Sequence, residues 1–411
     1  MSWQQRIHHA VQQRKEDNLW RQRLNLASAQ GAQVTVCDGQ KRELLNFSSN
    51  DYLGLAQRTE GLVNAAQRWG MGSGASHLVC GHSQVHHDLE DALADSVGYP
   101  RALLFANGYM ANLAIMQTLL KRQDHLYQDK LNHASLIDGG LLSNSQMHRY
   151  RHNDCEHLAY LMQTHTDDSA LALVATDAVF SMDGDQAPLA QLSQLCRQHD
   201  ALLMVDDAHG FAVLGDHQHS GSVAQQHLIY QDVDVYMGTL GKGLGGYGAF
   251  VAGSHELIEY LIQFARPYIY TTALPAAMAE AMLDNLAIVK QGQRQQVLQH
   301  NIKYFKSQAL ALGLTLMPSS TAIQPLLIGD DAKALKISEL LKSAGILVTA
   351  IRPPTVKKGT ARLRITVTAS HTVSDIDYLL STLKRVLDAE AEDDLAVGEC
   401  ENLGMNVGGR I

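Results

Sequence analysis

Four short apolar runs stand out in the middle of the chain, at Ala102–Ala106, Leu171–Thr176, Ala201–Val205 and Val233–Met237. They are nearly unbroken rather than alternating, which suits strands covered on both faces, as in a parallel sheet. Between two of them, Leu189, Leu192, Leu195 and Cys196 recur at helical spacing. Strand–helix alternation from about 90 to 290 predicts an α/β architecture. Ahead of it, residues 1 to about 30 read as a helix, and Val34 to Phe47 reads as a hairpin turning at Asp38-Gly39. Behind it, Gln291 to Gln299 turns polar. Ala322–Ile328, Ile346–Ile351 and Leu363–Thr368 then read as strands, with helices around 331–344 and 374–388. Four regions are expected: an N-terminal helix and hairpin (1–45), a large α/β domain (46–290), a smaller α+β domain (291–389) and a flexible tail (390–411) in which no amphipathic period is found.

The balance of residue types narrows the class. Apolar residues make up 45% of the 411 and charged ones 18%, an ordinary globular composition. A formal net charge of -9 gives no support for a nucleic-acid partner. The start has no long apolar h-region, and no run reaches the roughly 18 apolar residues of a membrane span. The five cysteines (Cys37, Cys80, Cys155, Cys196, Cys400) form no C-x-x-C pair, so free thiols in the cytoplasm are expected. The twenty histidines are scattered. His82, His86 and His87 read as an exposed helix face, and no metal site is expected from them.

Candidate chemistry gathers where the apolar runs end. Gly238 to Gly248 follows a strand directly and sets Lys242 among glycines. Such a segment makes sense where backbone approaches a ligand closely and one amine must reach it. Gly241-x-Gly243-x-x-Gly246 also matches the dinucleotide fingerprint, although it sits in mid-chain with a lysine inside it. The phosphate-cradling P-loop fails, because Gly243 stands where Ser or Thr is required. Taken alone, the segment equally describes a flexible turn. Leu202 to Val205 runs into Asp206, Asp207 and His209. Carboxylates are rarely buried without a partner, so an acid there expects a cation such as a protonated pyridine nitrogen. An ordinary helix cap would read the same way. Asn107-Gly108-Tyr109 opens a helical pattern whose free N–H groups suit a phosphate, and His133 follows Asn132 in a form able to lie on an aromatic ring. Phosphate loop, acid, His and Lys all fall at strand ends, where open α/β sheets bind ligands.

These motifs, with Asn46-Phe-Ser-Ser-Asn-Asp-Tyr-Leu-Gly-Leu55, Val179-Phe-Ser-Met-Asp-Gly-Asp185, Ile351-Arg-Pro-Pro-Thr-Val356 and Gly359-Thr-Ala-Arg-Leu-Arg364, resemble the α-oxoamine synthases over about Trp3 to Leu387. The resemblance implies a fold-type I, aspartate-aminotransferase-like transferase: a large domain with a mostly parallel sheet, plus a smaller α+β C-terminal domain. It implies pyridoxal 5'-phosphate held as a Schiff base on Lys242, with Asp206 at the pyridine nitrogen, His209 at the ring hydroxyl near Ser181, and His133 on the ring face. Gly108, Tyr109 and Thr239 would serve the phosphate. Thr271 and Thr272 would reach it from the neighbouring subunit, which implies a homodimer. Arg364 would hold the amino-acid carboxylate, and Arg21, Asn50 and Thr355 would border the substrate. The Ile351–Thr355 stretch narrows the implied reaction to condensation of L-alanine with a pimeloyl thioester, carried by coenzyme A or acyl-carrier protein, with loss of carbon dioxide, in biotin biosynthesis. Glycine-using relatives, of aminoketobutyrate ligase or aminolevulinate synthase type, share the same core, and an NAD-binding oxidoreductase would rest on the glycine match alone. Lys357 departs from the family, which often has Pro there, and the tail beyond about Asp388 has no counterpart.

Overall fold

The unalternating runs become the centre of a seven-stranded sheet. The computed structural model describes residues 1–17, 19–165, 169–216 and 218–404. Its strands, in chain order, are β1 (Gln33–Cys37), β2 (Lys41–Asn46), β3 (Arg101–Phe105), β4 (His125–Asp129), β5 (Gln146–Tyr150), β6 (Ala172–Asp177), β7 (Ala201–Asp206), β8 (Val235–Thr239), β9 (Ala249–Gly253), β10 (Ile323–Gly329), β11 (Ile346–Leu347), β12 (Thr349–Ile351) and β13 (Ala361–Thr366). The large sheet has the order β3-β9-β8-β7-β6-β4-β5. Only β9 runs antiparallel to its neighbours, and the pairs from β8 to β5 are parallel. Helices cover both faces, so side chains such as Leu203, Val205, Val174 and Tyr236 have no solvent contact.

β4 and β5 escape the apolar pattern because they carry His125, Gln128 and Asp129, or His148 and Arg149. They are strands nonetheless because their backbones pair in register and tertiary hydrogen bonds hold part of their buried polar side chains; Gln128 Nε2, for one, donates to the Leu136 carbonyl at 2.7 Å.

The smaller unit is a three-stranded antiparallel sheet, β10-β13-β12. Helices Gln293–Ala311, Asp331–Ser343 and Val373–Gly404 pack around it. The N-terminal hairpin β1-β2 joins β11 in a third sheet, so the start of the chain is pinned to its C-terminal part. Residues 47–52 then cross toward the large sheet under two backbone straps, Thr366 N to Phe47 O (2.8 Å) and Ala369 N to Tyr52 O (2.8 Å).

Three expectations change. The first helix covers only Trp3–Glu16 and buries nothing. The last helix runs past 388 to Gly404, because the stretch after Asp388 is rich in Ala, Glu and Leu, all strong helix formers even without an amphipathic period; residues 405–411 of the expected tail lie outside the described residues. The segment Gly81–His87 is not an exposed helical face. After a wide turn at His77–Gly81 the helix starts at Gln84, and His86 is fully buried. Its Nδ1 accepts from Ser83 N at 3.0 Å, closing a capping box, and its Nε2 lies 2.5 Å from the Leu274 carbonyl. His82, His87 and Glu90 bring ligand atoms within 4.8 Å of one another, but Glu90 is already committed to Leu104 N at 3.0 Å.

The central strands carry the sheet that presents the site, so a cavity there is costly. Leu203→Ala is expected to lower unfolding free energy by about 3 kcal/mol. In a urea titration the midpoint should fall while the slope stays unchanged.

Candidate active site

In the large sheet the candidate side chains gather at the C-terminal ends of the strands. β7 ends at Asp206 in register with Asp177 at the end of β6. Successive strand residues face opposite ways, and the two acids of the pair Asp206-Asp207 separate accordingly. Asp207 points into structure, accepting from Ser222 Oγ (2.5 Å), Ser222 N (2.6 Å) and Tyr236 Oη (2.8 Å). Asp206 faces the site. It accepts from Asn112 Nδ2 (2.7 Å) and Ala208 N (3.0 Å). It is buried yet forms no salt bridge among the described residues. Burial and the neighbouring Asp206 push Asp177 well above the usual carboxylate range, although the His133 N–H at 2.6 Å pulls it the other way. Two adjacent carboxyls do not both ionise cheaply, which is why Asp177 holds its proton so strongly.

Lys242 follows β8 on a loop that only glycine permits. Gly245 has φ +72°, and a Cβ there would meet the Leu55 backbone at 2.6 Å. A Cβ at Gly246 would strike Met282 at 2.0 Å. The loop therefore lies flat against these neighbours and aims the lysine inward. Burial pushes the Lys242 ammonium down to about 8, against the pull of Asp206 and Asp177.

Lys242 Nζ stands 2.8 Å from His209 Nε2, and His209 Nδ1 stands 2.5 Å from Tyr52 Oη. Burial, then Lys242 and Arg364, hold His209 well below its usual range, so the ring is neutral. The lysine donates to Nε2, Nδ1–H donates to Tyr52, and Tyr52 donates to Asn50 Oδ1 at 3.3 Å. Arg364 Nη2 donates to the same oxygen at 3.1 Å, Nε to the Ser181 carbonyl at 2.6 Å, and Nη1 to Thr366 Oγ1 at 3.0 Å. One N–H on each terminal nitrogen remains for a ligand carboxylate.

On the opposite flank, Asn107 caps the helix Gly108–Leu119 by accepting from Met110 N at 3.0 Å, leaving the Gly108 and Tyr109 N–H groups free. The Tyr109 hydroxyl donates to Asp138. Thr239 Oγ1 donates to the Gly248 carbonyl at 3.0 Å and accepts from Gly241 N at 3.3 Å. His133 Nδ1 lies 2.7 Å from Ser135 Oγ. Arg21 and Thr355 are both exposed; the segments that carry them are joined by Arg352 Nη2, which donates to the Trp20 carbonyl at 3.1 Å. Thr271 and Thr272 do not meet the phosphate loop in their own chain. Thr272 pairs with Ser76, and neither threonine caps the following helix, whose N-cap is Pro275.

Sequence reasoning missed four participants: Tyr52, Asn112, Ser135 and Asp177. Asp177 carries the signal that exposed Asp206, an acid closing a buried apolar run. Asn112 is a buried polar residue on an otherwise apolar helix face. A fifth, His152, holds the loops together. Its imidazole lies between Asp129 (3.0 Å) and Asp185 (2.8 Å), so it clasps the loop bearing His133 to the loop bearing Ser181. Burial lowers its proton affinity, but the two carboxylates prevail and raise it to about 10.

The donor set fits pyridoxal phosphate. A buried carboxylate without a cation matches a protonated ring nitrogen, free N–H groups at a helix start match a phosphate, and a lysine depressed to about 8 matches Schiff-base chemistry.

Two pH effects follow. In cofactor-free protein, acylation of Lys242, located by peptide mass, should show a midpoint near pH 8; a midpoint above 10 would remove the electrostatic account. His152 has a folded pKa above its unfolded value, so its contribution is complete below about pH 6.5 and is lost as pH rises through about 10. His152→Gln should therefore cost about 2 kcal/mol at pH 6 and progressively less toward pH 10, as read by denaturant unfolding at each pH.

Known proteins agree with this geometry. The family described as Aminotransferase class I and II matches residues 42–383. An 8-amino-7-oxononanoate synthase of Saccharophagus degradans is 50% identical over 391 residues, covering 94% of this chain and 98% of the relative. One of Alcanivorax borkumensis is 56% identical over 347 residues, 83% of this chain and 89% of that relative. Among solved structures, 8-amino-7-oxononanoate synthase from Francisella tularensis superposes with a TM-score of 0.73 at 31% identity, covering 85% of this chain and 99% of that one. Serine palmitoyltransferase of Sphingomonas wittichii superposes with a TM-score of 0.88 at 26% identity, covering 95% and 99%. A lysine on a glycine loop, an unpaired buried aspartate beside it and relatives this similar over nearly the whole length place the chain in the 8-amino-7-oxononanoate synthase family, within the class I and II aminotransferases.

Proposed function

We propose that this enzyme condenses L-alanine with a pimeloyl thioester, releasing carbon dioxide and the free thiol carrier and forming 8-amino-7-oxononanoate, as a cytoplasmic homodimer. The observation that carries the reading is the presence, at neighbouring strand ends, of Lys242, depressed to about 8, and of a buried Asp206 that forms no salt bridge among the described residues.

Bound pyridoxal 5'-phosphate supplies an electron sink for a carbanion at the amino acid's α-carbon. Lys242 Nζ is the covalent attachment point. Once displaced by the amino acid, the same amine takes the α-proton, for which a pKa near 8 suits neutral pH. Asp206 would hold the ring nitrogen protonated, and its two N–H donors fix the orientation of the carboxyl for that task. His209 would hydrogen-bond the ring hydroxyl by accepting through Nε2, steadied from behind by Tyr52, with Ser181 beside it. His133 would cover the ring face. Gly108, Tyr109 and Thr239 would bind the phosphate.

The amino-acid carboxylate would take the two N–H groups that Arg364 has left, beside Asn50. Arg21 and Thr355, both exposed, would border the acyl chain. A carrier as large as acyl-carrier protein or coenzyme A would remain outside that border.

Several exposed apolar side chains, among them Met71, Val79, Phe264 and Tyr270, flank the Ser76–Thr272 pairing. A patch of that kind favours a second copy, and it would carry Thr271 and Thr272 to the partner's phosphate.

A panel of amino acids and acyl thioesters scored by product mass tests the reaction. Alanine with a pimeloyl thioester should give 8-amino-7-oxononanoate, and glycine should give much less product. Preference for glycine would move the assignment to another branch. Sharing of sites is tested by mixing two inactive variants, Lys242→Ala and the double change Thr271→Ala with Thr272→Ala. Random exchange should restore about a quarter of wild-type activity, since half the dimers are mixed and each holds one intact site. No recovery after confirmed exchange would place the threonines in their own chain.

A further inference from the structure

Asn112 is fully buried on the helix Gly108–Leu119 and touches both sides of the site. Its Nδ2 divides its two protons, one to Asp206 Oδ2 at 2.7 Å and one to Ser135 Oγ at 2.8 Å. Ser135 Oγ, having accepted that proton, turns its own toward His133 Nδ1 at 2.7 Å. Nδ1 also receives the Ser135 N–H at 3.3 Å. His133 Nδ1 is thus an acceptor twice over, and the ring proton is placed on Nε2. Meanwhile Asn112 Oδ1 is buried with no partner.

That unpaired oxygen is informative. A buried amide normally satisfies both ends, and leaving one bare costs free energy. Turning the amide over would face its oxygen to the Asp206 carboxylate, which accepts only when ionised. The amide therefore keeps the costly orientation because two acceptors demand both N–H groups. A leucine at this position would fill the space without the penalty, so packing alone does not explain the residue.

We propose that Asn112 is a positioning residue that aims the Asp206 carboxylate and, through Ser135, fixes the proton of His133, so that the ring-nitrogen partner and the ring-face residue are set together by one amide. The inference rests on the pyridoxal phosphate reading of Asp206 and His133. Without Asn112, Asp206 keeps only the Ala208 N–H, and the Ser135 hydroxyl loses the donor that turns its proton toward His133, whose Nδ1 is then held by the Ser135 N–H at 3.3 Å.

The test is a pH titration of the cofactor's visible absorption in holoenzyme, run on wild type, Asn112→Leu and Ser135→Ala, with thermal unfolding of each. A weaker Asp206 anion holds the ring nitrogen protonated less firmly, which raises the proton affinity of the lysine–cofactor linkage. In Asn112→Leu the midpoint should rise by at least about half a unit, roughly threefold, and cofactor affinity should fall about tenfold, while the unfolding temperature is unchanged or higher. Ser135→Ala removes only the second acceptor, so the amide is less firmly aimed and the midpoint should move the same way by less. This second variant carries the test where Asn112→Leu fails to fold. A lower unfolding temperature with an unmoved midpoint would mean a purely structural role and overturn the proposal. Wild-type protein that takes up no pyridoxal phosphate would overturn the functional reading, and the proposal with it.

Discussion

The structure depends on keeping a carboxyl and an amine buried at the ends of neighbouring strands without letting them pair with each other. Asp206 is anchored by N–H donors rather than by a cation, and Lys242 is engaged with His209 rather than with Asp206. A direct ion pair between them would satisfy both charges and leave nothing to bind. Desolvation instead lowers the lysine to about 8, and Asp177 beside Asp206 takes up the proton that two adjacent carboxyls cannot both release. The stored cost of this arrangement is what a cationic aromatic ring would relieve.

Much of the rest of the molecule serves to hold these groups still. The parallel sheet fixes the spacing of Asp177, Asp206 and Thr239, because their strands are in register. The smaller unit contributes Arg364 through β13, a strand that also straps Phe47 and therefore Asn50 and Tyr52. An ion pair between Arg362 and Asp183 ties the same strand to the Ser181 loop. His152 clasps that loop to the one bearing His133. Segments from widely separated parts of the sequence thus meet at one end of the sheet, and no single motif could form the site alone.

What the sequence disclosed follows from this division. Strands buried on both faces show as apolar runs, so β3, β6, β7 and β8 were legible, and with them the residues at their ends. β4 and β5 were not, because polar side chains satisfied by tertiary hydrogen bonds do not differ in sequence from exposed ones. Lys242, Asp206, His209 and His133 stood in recognisable strand-end contexts. Tyr52, Asn112 and Ser135 act through other side chains, and their partners are fixed only when the helix Gly108–Leu119 and the 47–52 crossing come to rest on the sheet. The misread Gly81–His87 segment has the same origin: helical spacing was visible, but not the turn at His77–Gly81 that starts the helix late and turns His86 inward.

The histidines show how far environment overrides residue type here. His209 is held neutral by burial and by the cations Lys242 and Arg364, so it can accept from the lysine and pass a hydrogen bond on to Tyr52. His152, in the same half of the molecule, is held charged to about pH 10 because two carboxylates face it. Across neutral pH neither changes state. Lys242 beside His209 does respond close to that range, at about 8. Two histidines fixed in charge beside an amine that sits near neutrality favour proton transfer at that amine, the atom proposed both to hold the cofactor and to move the substrate's proton.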